Sequence, residues 1–252
     1  MNTALIRKEI KEHVLSKKGI WIFFAITILF SGLAFSFISV KELSLLAQVE
    51  VNMTFMKVMI GLSVLVSLVL GATMYSSEKE QGTLESLMLT PLSRMQITTS
   101  KVVGIFVFWL VLSLLSLPYF YALAIGTDLF PRILVFLSFI ALPLVISFTC
   151  LSLAFSAWLS STKNALMLSI VLFIVTSIPM FLSTTMKKAG FAYLFDRLSP
   201  ISSSLLAMKD YFVNKLSAAI IVMDILPVIG FFFIAFASLY YASSKLDFKG
   251  GE

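Results

Sequence analysis

The chain has 252 residues, of which 59% are hydrophobic and only 13% charged, with a net charge of +6. Its mean hydropathy is +1.01. Soluble domains carry about 25% charged residues, so this chain lacks the charge to cover a water-facing surface, and a water-soluble globular domain is excluded. The positive balance does not point to nucleic acid. The basic residues flank apolar runs, where the excess of Lys and Arg on the inner side of a membrane accounts for them.

The first segment, 1–18, places Thr3, Ile6, Ile10, His13 and Val14 near helical spacing among Arg7, Lys8, Lys11 and Glu12. It reads as an amphipathic elbow helix lying on the inner membrane face. Six apolar stretches follow, near 20–40, 58–75, 102–125, 133–159, 165–182 and 225–243. Each approaches the roughly 20 residues that a membrane-spanning helix needs. The first of them is long enough to span, so it reads as a span and not as a cleavable leader. Pro118, Pro143, Pro179 and Pro227 fall inside or at the ends of these runs, where a membrane helix is expected to kink and not to stop. The expected fold is therefore all-α: one polytopic domain over 1–252 with six spans. An even number puts both termini on one side. The short loops favour the cytoplasm for that side, in the membrane of the cell. The segment 185–217 mixes aromatic and charged residues around Ser199-Pro200. It is too polar to span and too apolar for a free loop, and two short helices dipping into the outer leaflet fit it best.

Several chemistries have no residues to carry them. There is no G-x-x-x-x-G-K-[ST] phosphate loop and no G-x-S-x-G nucleophile motif. His13 is the one histidine and Cys150 the one cysteine. The expectation is a non-enzyme with no metal or cofactor of its own. The predicted spans hold almost no ionisable groups; Lys57, Lys163 and Asp224 stand near their ends, where Asp224 reads as interfacial. Carriers coupled to protons or sodium need such groups near mid-membrane. If the protein drives cargo uphill, a partner has to supply the energy.

The informative segment is 76–101, between the second and third spans. Ser77 and Glu80 have capping-box spacing, Gly82 permits a sharp break, and Thr83 can cap a short helix running through Leu89. Thr90 precedes Pro91 and resists helical geometry. Ser93 and Gln96 form a second capping-box pattern leading into the third span. On the short helix Leu84, Leu87 and Met88 share one face, which suits a groove on a soluble protein. Glu78, Glu80 and Glu85 disfavour an anionic lipid surface as its resting place.

With Glu78, Glu80, Gly82-Thr83-Leu84-Glu85 and Leu87, followed by Thr90-Pro91-Leu92-Ser93 and Lys101, the segment resembles the first cytoplasmic loop of ABC-2 type exporter permeases. The layout of the whole chain is similar to theirs, although a sizeable extracellular domain found in larger members has no room here. The resemblance implies that this loop is a coupling helix docking into a separate cytoplasmic ATPase, which would bind ATP and Mg. Gly82, Thr83, Leu84, Glu85, Leu87 and Met88 would touch that ATPase, with Glu78 and Glu80 at the junction with the second span. Thr90 and Pro91, which close the helix, would belong to the same ATPase-docking set. The stretch 160–164, including Ser161 and Lys163, would form a smaller second contact. A second permease, identical or different, would complete the pathway as a homodimer or heterodimer in membrane lipid. The substrate would be hydrophobic or amphipathic: a peptide, a drug or a lipid-like molecule. The alternative is a membrane scaffold, immunity or sensor subunit that docks an ATPase without transport.

Overall fold

The computed structural model describes residues 3–39, 45–90, 92–181 and 190–245, with side chains from residue 47 in the second of these stretches. Among them the chain is helical, with no strand. Helices are the economical solution for an apolar chain, because each backbone N–H and C=O is satisfied within its own segment. The elements are α1 (Thr3–His13), α2 (Lys17–Ile38), α3 (Leu45–Met74), α4 (Ser76–Glu80), α5 (Thr83–Met88) and α6 (Arg94–Leu123). After them come α7 (Leu129–Phe136), a π-helical turn (Leu137–Ala141), α8 (Leu142–Trp158), α9 (Thr162–Phe181), α10 (Gly190–Leu198), α11 (Pro200–Phe212) and α12 (Ala218–Ser244).

Six helical rods are long and apolar enough to cross a bilayer: α2, α3 running into α4, α6, α7 through α8, α9 and α12. All six expected spans are present, and each helix begins before its apolar run, with α3 and α12 reaching past charged residues that look like boundaries. Helix α3 starts at Leu45, thirteen residues before Val58, because Glu50, Asn52 and Lys57 continue the helix despite their polarity. Asn52 is buried there and donates to the Leu123 carbonyl at 3.0 Å. Likewise α12 starts at Ala218, so Asp224 lies inside it. Asp224 is not a loosely placed end residue. It is buried and takes a hydrogen-bonded ion pair from Arg197 at 2.7 Å.

Pro118, Pro179 and Pro227 sit within continuous helices. Pro143 has a local consequence. Proline lacks an N–H and crowds the carbonyl four residues back, and the rod relaxes just before it into the π turn, where the Leu142 N–H donates to the Leu137 carbonyl. The segment 185–217 does contain two short helices, α10 and α11; residues 185–189 lie outside the described residues. Ser199 caps α11 through the Ser202 N–H, with Pro200 at the first helical position. Helix α11 packs on α12 and α9, and Phe212 tilts against Phe136 with ring centroids 5.8 Å apart.

Two apolar cores lie along the bundle. The end that carries α10 and α11 is aromatic: Phe55 packs on Phe30 at 5.0 Å and edge-on to Phe120 at 4.9 Å. The opposite end, which carries α1, α4 and α5, is built around α3 and α8 with small residues such as Ala154 and Ala157. At Gly71 a Cβ would stand 2.0 Å from Ser152 Oγ, so any larger residue forces the Ser152 hydroxyl to move. Small residues of this kind let membrane helices come close and gain dispersion contact.

Candidate functional site

The α4–α5 segment is a built structure at the bundle's small-residue end. Helix α3 breaks after Met74, which orphans the N–H groups of Tyr75 and Ser76. Both donate to Ser156 Oγ on α8, at 2.9 and 2.8 Å. No side chain from α4 itself caps that helix. The expected capping box of Ser77 and Glu80 is therefore absent, because α8 supplies the acceptor and Glu80 is engaged elsewhere.

Glu80 reaches across to α9 and accepts from the Thr162 N–H and the Thr162 hydroxyl, each at 2.7 Å. It caps the first turn of α9, whose free N–H groups favour a negative charge. The preceding residue, Lys79, does the opposite at the end of α8. Its ammonium donates to the Ala157 carbonyl and to that of Leu159 at 3.1 Å, where orphan carbonyls favour a cation. Two adjacent side chains thus clamp both sides of the 159–161 turn. Ser161 is half-buried in that turn and Lys163 is exposed just after it.

Glu78 faces the other way. Its Oε1 accepts from Lys101 Nζ at 2.8 Å, and Lys101 also lies 3.4 Å from Glu9 Oε1. Lys101 is 1% exposed and stands 5.0 Å from the Tyr75 ring centroid. The Tyr75 hydroxyl bonds Thr98 Oγ1 at 2.7 Å. A buried ammonium is expensive unless paired; here two carboxylates and an aromatic face compensate it. This node ties α1, α4 and α6 together. Burial pushes the Glu9 carboxyl upward, but the His13 hydrogen bond and the Lys101 charge outweigh that and hold it below its ordinary range. Helix α1 approaches α6 so closely that a Cβ on Gly104 would stand 3.0 Å from Glu9 Cβ.

Gly82 adopts φ +67°, the left-handed region that suits glycine, and turns the chain into α5. The expected break at Gly82 is present. Thr83 is the first residue of α5, not its cap, and α5 ends at Met88, one residue before the expected Leu89. The Ser93–Gln96 capping box is formed, with Ser93 Oγ accepting from Gln96 N at 3.2 Å and Gln96 Oε1 from Ser93 N at 3.1 Å.

The apolar face of α5 points inward. Leu84 is 7% exposed and packs with Leu5, Tyr75 and Ile97, while Leu87 and Met88 lie half-buried on the same core. Leu84 is thus packed into its own bundle, and Leu87 and Met88 sit at the edge of that core. An apolar stripe on a short surface helix satisfies its own bundle first. The outward face is Thr83, Glu85 and Ser86, with Leu89 80% exposed and Thr90 beside it. Pro91 lies outside the described residues.

Sequence reading missed Glu9, Lys79 and Ser156, which brace the segment. The signal for Glu9 was a face count: the buried positions of α1 are Leu5 and Glu9, one turn apart, with Val14 next, not the Ile6–Ile10–His13 set. The described residues whose metal-ligand atoms converge are Glu9, Glu12 and His13, within 4.8 Å. The Lys101 ammonium on the same Glu9 carboxylate opposes a cation there.

No match to the chain is found among curated proteins. The sequence pattern of the ABC-2 family transporter proteins matches residues 3–241, nearly the whole chain and every helix from α1 into α12. This six-span protein is a membrane permease of the ABC-2 transporter family.

Proposed function

We propose that the chain is the membrane half of an ATP-driven exporter, with α5 as the coupling helix on a separate cytoplasmic ATPase. The observation that carries this reading is the contrast between the two sides of α5. One side is anchored in the bundle through Leu84 and braced by the Lys101 node and the Lys79–Glu80 clamp. The other presents Thr83, Glu85, Ser86 and Leu89 outward. An exposed leucine ringed by polar and acidic groups fits a groove with an apolar floor and a basic rim.

In this mechanism ATP binding closes the ATPase pair, and α5 moves with the subunit that grips it. Glu78 and Lys101 pass the displacement to α1 and α6, while Lys79 and Glu80 pass it to α8 and α9. Packed cores switch between discrete arrangements and do not stretch. The pathway between two such permeases would then open alternately inward and outward. The apolar outer faces of α2, α9 and α12, with Phe35, Ile174 and Phe233 exposed, suit lipid, a second permease copy and a hydrophobic or amphipathic cargo. ATP and Mg belong to the partner.

The test is co-purification with the cognate ATPase from detergent. Leu89→Asp and Glu85→Lys should each release the ATPase while the permease still elutes as a folded species. Retention of the ATPase by both variants would remove α5 as the docking element. Cargo should also change the partner's hydrolysis rate; a rate indifferent to every cargo while docking persists would favour the non-transport scaffold.

A further inference from the structure

An open groove of about 680 Å³ is lined by residues of α1 together with Leu15. Its apolar lining is Ile6, Ile10 and Leu15, and its rim is basic: Arg7, Lys8 and Lys11. These three cations are exposed, and so are Lys17 and Lys18 at the start of α2. Glu12 is the acidic residue beside the rim, and it pairs with Lys8 at 3.8 Å. That leaves Arg7 and Lys11, one turn apart, as the cations that meet an anion.

The groove is also held at a fixed angle to the first span. Ser16 caps α2 by accepting from the Gly19 N–H at 3.0 Å. A Cβ on Gly19 would stand 2.1 Å from the His13 carbonyl oxygen, so glycine is required where the two helices meet. Leu15 is 66% exposed, and the first turns of α2 also expose Ile20, Trp21 and Phe24. A recess rimmed with cations therefore lies next to exposed apolar side chains that suit acyl chains.

From this pairing of exposed cations with exposed apolar side chains we infer that the α1 groove is a binding site for an anionic phospholipid. Arg7 and Lys11 hold the headgroup phosphate, and the acyl chain runs over Leu15 onto α2. The inference rests on the preceding placement of α1 at the inner leaflet, where anionic lipids supply the complementary charge. Trp21 is placed to sit at headgroup level. Because α1 also carries Glu9 of the Lys101 node, a lipid bound there would set the position of the coupling segment.

The experiment reconstitutes the full chain in vesicles of equal parts phosphatidylcholine and phosphatidylglycerol, extracts it gently, and counts retained lipids by native mass spectrometry. Wild type should retain phosphatidylglycerol in preference. Arg7→Gln with Lys11→Gln should lower that preference by about thirtyfold, from two interfacial charges. Leu15→Gln should loosen both lipids alike. If the double variant does not fold, Lys17→Gln with Lys18→Gln carries the test, with a smaller fall expected. An unchanged preference overturns the inference. So does displacement by inorganic phosphate as effective as by phosphatidylglycerol vesicles, which would mean a plain anion site. A double variant that keeps its lipid but loses the ATPase also overturns it, and marks the stripe as a protein surface. If wild type binds phosphatidylglycerol and never binds the ATPase, the lipid site stands and the exporter reading falls.

Discussion

The two ends of the bundle are held together by different physics. The end that carries α10 and α11 is packed with large aromatics that meet edge-on or tilted, as Phe30, Phe55 and Phe120 do. Such a core is attractive but forgiving, since rings and methionines such as Met56 and Met59 can re-pack at small cost. The end that carries α4 and α5 relies on directional contacts. Ser156 mends a helix break, Lys79 and Glu80 cap two neighbouring helices, and Lys101 joins three elements through two carboxylates. The lesson is that stiffness is concentrated where force would enter. The α4–α5 segment is braced to four helices, as the proposed docking of an ATPase there would require, while the rest of the core needs only volume.

Substitutions should separate the two ends in order of size. Lys101→Met leaves the buried Glu9 and the half-buried Glu78 without their cation. It should cost about 3–5 kcal/mol, read as a large fall in thermal stability in detergent, and Glu9→Gln with Glu78→Gln in the same chain should recover much of it. Leu84→Asp puts a charge into the core beneath α5 and should cost about 3 kcal/mol or more. Leu89→Asp, five residues on and exposed, should leave the melting temperature in place. Gly71→Ala drives a methyl into Ser152 and should cost about 1–3 kcal/mol; adding Ser152→Ala should restore most of that. At the aromatic end, Met59→Leu conserves volume and should cost less than about 1.5 kcal/mol. A large loss there would abolish the contrast.

A smaller, pH-dependent effect follows from Glu9, whose carboxyl is held below its ordinary range in the folded chain. Its contribution is present above the ordinary carboxylate value and is lost as the pH falls through the lowered one. Melting temperatures of wild type and Glu9→Gln should therefore converge on acidification and separate toward neutral pH.

Much of this was readable from the sequence, and the exceptions share a cause. Six spans follow from apolar length alone, and Gly82 and the Ser93–Gln96 box follow from local backbone chemistry. What failed was long-range. Ser77 and Glu80 have the spacing of a cap, yet Ser156 and Thr162, eighty-odd residues away, took over those hydrogen bonds. The stripe of Leu84, Leu87 and Met88 was real, but periodicity does not say whether a face meets its own bundle or a partner. Spans two and six were read too short because Lys57 and Asp224 look like boundaries. Helix propagation and an Arg197 partner carry the rods past them.

The most direct test of the account places a photocrosslinking benzoylphenylalanine at position 89, and in a second protein at position 84, in membranes that contain the cognate ATPase. Position 89 should give an adduct with the ATPase, and position 84 should give links only within the permease. An adduct to lipid alone from position 89, or an ATPase adduct from position 84, would contradict the outward-facing docking helix on which the reading depends.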